Sequence, residues 1–367
     1  MSAGRRRVEC LTTGALVSLA LAACNGTTSY LDATGSAGRA EGTLGWWLTA
    51  VSCAVVLFVC VAVLAGVARH RGERNAPTRA VGGAEHAVRQ APDAGASEPG
   101  DRGALAERRE IRAGLSWIYV GLAVTVVILL VAFAGTMVTL NAANHPPRAP
   151  ALTMDVVGHQ WWWEVRYGDP AHPDFGFTTA NEVHLPVGQP VRVRLHSADV
   201  IHSFWLPQIA GKTDVIPGQV NETWLEAKEP GTSRGMCGEY CGLQHAVMAI
   251  AVTAESPAEF VRWAASRRAP ATAPSTPEAQ AGQVVFARSC GACHAVAGTQ
   301  ALGRVGPDLT HVASRPTIGA GLLANTPANL ASWITNAPGL KEGARMPAIP
   351  LDGAELRAVV AYLQTLH

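Results

Sequence analysis

The sequence is poor in charge. Only 16% of its residues are Asp, Glu, Lys or Arg, and they nearly cancel, leaving +1 over 367 residues. Bulk charge therefore gives no sign of a nucleic acid partner, and none is expected. There is no internal repeat, which excludes solenoids and propellers. What the chain has instead is apolar sequence, with 48% hydrophobic residues.

Much of that content lies in three runs near the N-terminus. Arg5, Arg6 and Arg7 precede an apolar run from about Leu11 that closes on Leu21-Ala22-Ala23-Cys24. The run is too short to cross a bilayer and reads as a secretory signal over residues 1–23. Its ending resembles a bacterial lipoprotein cleavage box with Cys24 as the lipidated first residue. An ordinary cleavage site beside an incidental cysteine is the alternative. Residues 46–68 and 117–140 carry no charge and begin on aromatic residues. Each is long enough to span a membrane, so residues 44–141 predict a transmembrane hairpin. The segment between, 69–116, holds nine arginines and is rich in Gly, Ala and Pro. It is expected to be cytoplasmic and flexible. Both ends of the hairpin then face outward, as a cleaved signal also requires. This places the protein in a bacterial plasma membrane as a multi-pass chain, with everything after Asn141 on the outer, periplasmic or extracellular, face.

The exported part divides in two. Residues 150–255 contain short runs rich in Val, Trp and Thr, punctuated by Gly and Pro, among them QWWWEVRY, NEVHLPVG and NETWLEAKEP. VRVRLHS alternates as a half-buried strand does. Several such runs in about a hundred residues predict a β-sandwich or barrel. Residues 256–276 predict a short helix capped by Ser256 and then a Pro/Ala/Thr linker, whose nine residues APATAPSTP reach roughly 28 Å if extended. Residues 277–367 predict a small all-α domain, opened by a helix capped at Thr276 and closed by one that carries Leu356, Val359, Val360 and Leu363 on one face.

The last domain contains CGACH at Cys290–His294, the C-x-x-C-H signature of covalent heme c attachment. Cys290 and Cys293 would bond the porphyrin and His294 would ligate the iron. A thioredoxin-like redox pair would need a βαβ surround, and none is present. Met346 is the one methionine after His294, so it is the expected second axial ligand. His311 is the rival and reads as a loop histidine. VGPDL (Val305–Leu309) resembles the cytochrome c segment whose proline carbonyl receives the proximal imidazole proton, which places Pro307 beside His294.

The first exported domain contains RGMCGEYCGLQHAVM. Cys237 and Cys241, in an oxidising compartment, could pair as a disulfide, but so short a loop would stabilise little. His245 and Met248 follow closely. Thiolate, imidazole and thioether together select copper over zinc. Two cysteines, one histidine and one methionine suggest two coppers bridged by two thiolates, and such a site needs a second histidine. His202, in SADVIHSFWLP, supplies it.

GHQWWWEVRY, DVIHSFWLPQIAGKTDVIPGQVNETW and CGEYCGLQHAVM together resemble cytochrome c oxidase subunit II over roughly residues 44–255, and the added heme domain resembles the fused caa-type variant. The resemblance implies a cupredoxin-like β-sandwich holding the binuclear CuA centre. Its ligands would be His202, Cys237, Cys241, His245, Met248 and the backbone carbonyl of Glu239, with the Glu239 carboxylate reaching a magnesium ion at the contact with subunit I. Met236 departs from the glutamine that this family pattern suggests there. Trp161 would be the surface aromatic through which electrons reach CuA, while Trp162 and Trp163 read as aromatics at the membrane-facing edge of the β core. The implied partners are oxidase subunit I with heme a and CuB, subunit III, and a cytochrome c or bc-type complex as donor. Residues 151–255 carry twelve acidic and six basic side chains, a net −6 suited to a basic donor. Gly114 stands where the family usually has a glutamate at a proton-channel mouth, and Glu110 lies one turn earlier.

The implied function is an electron-input subunit of a proton-pumping terminal oxidase that reduces O2 to water. The oxygen-reducing site belongs to another subunit, because the two membrane runs lack the histidines that heme a and CuB need. The alternatives are a CuA-bearing subunit of a nitric oxide reductase and a metal-free docking subunit of a quinol oxidase. The filled ligand positions argue against the latter.

Overall fold

The computed structural model describes residues 28–74, 100–169 and 172–367. The expected signal, Cys24 and the middle of the arginine-rich segment lie outside the described residues. The described residues form two compact units, one within residues 44–138 and one from the rest.

The first unit is made of two apolar helices, α1 (Ser36–Arg74) and α2 (Gly100–Asn144), whose outer ends belong to the second unit. Their spanning stretches have mean hydropathies of 2.8 and 2.6, and neither is buried by protein. Phe58 and Leu130 are among the many large apolar side chains facing outward. A helix in a soluble core would cover such residues, so these helices anchor the chain in a membrane. Both run past the expected limits into the arginine-rich segment, to Arg74 and from Gly100. The expectation that all of 69–116 is flexible is therefore corrected at its two ends. Absence of charge marks where a helix crosses lipid. It does not mark where a helix stops, and Ala, Leu, Glu and Arg in ALAERREIRAGL all favour continuation.

The second unit opens where α1 meets the β domain. Glu226, its side chain wholly buried, accepts from Ser36 at the start of α1, from Arg148 at 2.6 Å, and pairs with Lys228 at 3.0 Å. Burial opposes its charge, but these donors outweigh it and hold the carboxyl below its usual range.

Among the described residues the β domain has ten strands. They are β1 (Leu152–His159), β2 (Trp162–Asp169), β3 (His172–Ala180), β4 (Glu182–Pro186), β5 (Val191–Ser197), β6 (His202–Leu206), β7 (Ala210–Val215), β8 (Asn221–Leu225), β9 (Gly231–Cys237) and β10 (Ala249–Glu255). They form two five-stranded sheets, ordered β3-β2-β1-β5-β8 and β4-β10-β9-β6-β7. In VRVRLHS, Val191, Val193 and Leu195 are fully buried and alternate with the arginines, so the period-2 pattern sets which face meets the other sheet. Met154, Val156, Trp163, Leu185, Phe204 and Ile250 fill the space between. Trp163 is core rather than rim, while Trp162 stacks on His159 with ring centres 4.2 Å apart.

Ser256 caps α3 (Pro257–Arg268) through a reciprocal capping box with Glu259. The helical domain then follows, with α4 (Pro277–Ser289), a short β11–β12 hairpin (Thr317–Ile318 and Leu323–Ala324), α5 (Pro327–Leu340) and α6 (Gly353–Leu363). Thr276 and Asp352 cap α4 and α6. α4 crosses α6 at Gly282, where a Cβ would sit 1.9 Å from the Ala358 carbonyl oxygen. Only glycine permits that approach. Gly282→Ala is expected to destabilise this domain by about 1–3 kcal/mol through overpacking. A lower urea midpoint would show it, and an unchanged midpoint would contradict the crossing.

Candidate metal centre and heme site

β6 and β9 are paired neighbours, with Phe204 opposite Cys237. His202 therefore starts β6 beside the end of β9, where Cys237 sits. The segment from Cys237 to Met248 turns back over this sheet end before β10. The six expected donor atoms converge there. Cys237 Sγ lies 4.0 Å from His202 Nδ1, 3.7 Å from Cys241 Sγ and 3.1 Å from the Glu239 carbonyl oxygen. Cys241 Sγ lies 3.7 Å from His245 Nδ1 and 3.9 Å from Met248 Sδ. His202, Cys237, Cys241 and Met248 are buried, the first three form a metal-competent cluster, and both cysteines are free thiols.

Soft donors held together away from water fit copper. The contact with Cys241, aided by His202 and backbone amides, draws the Cys237 thiol well below its usual range and pushes Cys241 up. Met236, the departure from the family pattern, pairs with Trp205 on β6, one position before Cys237, and so faces the other side of the sheet. The Glu239 carboxylate, expected at a magnesium ion, pairs with Lys212 at 3.1 Å.

Two side chains that the sequence did not single out complete the site. Asp199 Oδ1 accepts from His202 Nε2 at 2.9 Å, which leaves Nδ1 aimed at Cys237. The two are three residues apart in SADVIHS, a spacing that signals nothing without the fold. Gln160 Nε2 and the Trp161 indole N–H both donate to the Cys241 carbonyl, at 2.8 and 2.9 Å. Trp161 was expected at the surface and is 8% exposed. The helical domain covers it. A Cβ on Gly343 would lie 2.9 Å from the Trp161 ring.

In the helical domain, His294 follows Cys290 and Cys293 in one tight turn, its amide bonded to the Cys290 carbonyl. Its Nδ1 donates to the Pro307 carbonyl at 2.8 Å, leaving Nε2 as the lone-pair donor. Burial holds this imidazole below its usual pKa, which favours the neutral, ligating form. A Cβ on Gly306 would sit 2.5 Å from the ring, so glycine there gives the imidazole room. Cys290 and Met346 pack on the same apolar core. Two free thiols, an oriented imidazole and a thioether fit a covalently attached heme. His311 is buried between the His367 carbonyl and the Arg267 and Ala269 carbonyls, a structural role distinct from axial ligation.

Two apolar anchor helices, a copper-binding cupredoxin-like domain and a cytochrome c domain define a membrane-bound electron-transfer protein. The family of cytochrome c oxidase subunit II periplasmic domains matches residues 176–255, and the cytochrome c family matches residues 279–367. Cytochrome c oxidase subunit 2 of Alkalihalophilus pseudofirmus is 36% identical over 255 residues, covering 69% of this chain and 72% of the relative. The corresponding subunit of a Bacillus species is 29% identical over 262 residues, covering 66% and 72%. A crystal structure of the periplasmic domain of subunit II of cytochrome oxidase from Bradyrhizobium japonicum is 34% identical, covering 33% of this chain and 96% of that one, with a TM-score of 0.31. The chain belongs to the cytochrome c oxidase subunit II family and carries a cytochrome c domain at its C-terminal end.

Asp199→Asn is expected to weaken copper retention about 10- to 100-fold, the usual effect of removing a group that orients a ligating histidine. Competition with a copper chelator reads this directly. Unaltered retention would remove Asp199 from the site.

Proposed function

We propose that this chain is the electron-input subunit of a proton-pumping, O2-reducing terminal oxidase. When bound, heme c and the binuclear CuA centre supply one-electron steps between an external donor and the heme-copper site of subunit I. The observation that carries this reading is the convergence of all six donors at one end of the cupredoxin-like sheet pair, one covalent domain away from a complete heme c motif.

The chain's own residues do the rest of the work. Cys290, Cys293, His294 and Met346 hold the heme, and Pro307 fixes the proximal imidazole. His202, Cys237, Cys241, His245, Met248 and the Glu239 carbonyl hold the coppers on a β scaffold that sets their positions in advance, so little rearranges when charge changes. Trp161 bridges the two domains. Its N–H bonds the carbonyl of a copper-ligating cysteine, and its ring edge meets the heme domain. The Glu239 carboxylate, paired here with Lys212, would hold a magnesium ion at the contact with subunit I. Subunit III completes the complex, and both exported domains face outward, where a cytochrome c or bc-type donor reaches the heme. A nitric oxide reductase partner would use the same residues here and differ only in the other subunit.

Cys237→Ser is expected to abolish the delocalised mixed-valence copper signal in EPR while heme absorbance persists. Met346→Ala should remove the sulfur-to-iron charge-transfer band and leave the copper signal intact. Survival of either feature overturns the corresponding ligand assignment.

A further inference from the structure

Lys341 ends α5, its amide bonded to the Ala337 carbonyl. Its side chain does not reach water. The residue is 3% exposed, and Nζ donates to three carbonyl oxygens, of Trp161 at 2.9 Å, Val247 at 2.9 Å and Gly319 at 2.8 Å. No carboxylate pairs with it among the described residues. Two acceptors belong to the copper domain and flank its site, since Trp161 bonds Cys241 and Val247 precedes Met248. The third belongs to the heme domain. A buried cation spends all three of its protons on this one seam.

The backbone around it is shaped to the same end. Gly319, Ala320 and Gly321 all adopt left-handed conformations, with φ of 64°, 61° and 82°. That turn aims the Gly319 carbonyl at Lys341 and the Ala320 carbonyl at the Ala249 amide, a 3.0 Å bond that crosses the seam just after Met248. A Cβ on Gly321 would approach the Ala249 side chain to 2.9 Å. A nine-residue linker long enough to let the domains part would need no such fitted seam if it worked by tethering alone.

We propose that Lys341 is the positioning latch that docks the heme domain on the copper domain in one register, with its ammonium binding the backbone on both sides of Trp161's contact. This rests on the proposed electron-input function. Electron transfer between the two sites then occurs in a single fixed geometry and not from a swinging tether.

The test uses the full-length chain in its assembled oxidase, with Lys341→Met, which keeps the chain length and removes the cation, and Gly321→Ala, which wedges the seam from the other side. Both are expected to slow heme-to-copper electron transfer after flash reduction by roughly 10- to 100-fold, the scale that small misplacement costs. Both are also expected to speed hydrogen exchange at the Ala249 amide by at least about 10-fold. Heme and copper spectra stay as in the unaltered protein. An unchanged rate overturns the latch, and so does a slower rate with Ala249 protection intact, because the seam would not have opened. If the unaltered protein shows no copper or heme signal, the functional reading fails, and Ala249 exchange still decides whether Lys341 docks the domains.

Discussion

Two sulfur atoms, Cys237 Sγ and Cys241 Sγ, are held 3.7 Å apart, unbonded and away from water. Much of the β domain serves that placement. Cys237 is fixed by strand pairing with Phe204, its amide bonds the Met248 carbonyl, and the Gly238 amide bonds the Ser203 carbonyl. The cysteine loop is thus stitched to both neighbouring strands. Cys241 is fixed from outside the loop, by Gln160 and Trp161 on its carbonyl. Loops alone fluctuate too freely to hold six donors together, and the sandwich supplies the rigidity.

Trp161 ties this placement to the second domain. It takes its position from the turn between β1 and β2, grips the copper loop with its indole, and offers its own carbonyl to Lys341. Farther along the same seam, Arg315 is buried, donates to the Asp308 carbonyl at 2.6 Å and lies 3.9 Å from Glu182 of the copper domain. Burial pulls this guanidinium down from its usual pKa while the Glu182 carboxylate works to restore it. Charges placed this way favour one orientation over many, because any other pose loses the Arg315–Glu182 pairing.

The sequence carried the chemistry further than the architecture. C-x-x-C-H names its own purpose, and the soft donor set from Cys237 to Met248 distinguishes copper from zinc before any fold is known. VRVRLHS announces its buried face because alternation is a local property. Contacts that cross domains leave no such trace. Lys341 reads as an ordinary surface lysine at a helix end, and Gly319, Ala320 and Gly321 read as an ordinary loop. Asp199 reads as a polar turn residue. Trp161 was legible as important, but its burial was not, since the covering residue, Gly343, lies 182 positions away in the chain. The membrane helices were legible as spans and not as lengths, because lipid selects against charge and the helix does not.

X-ray absorption at the copper edge of the purified full-length protein decides whether two metals share Cys237 and Cys241. Sulfur and nitrogen scatterers together with a short copper–copper vector are expected. A single copper without that vector, or zinc in its place, would contradict the shared site.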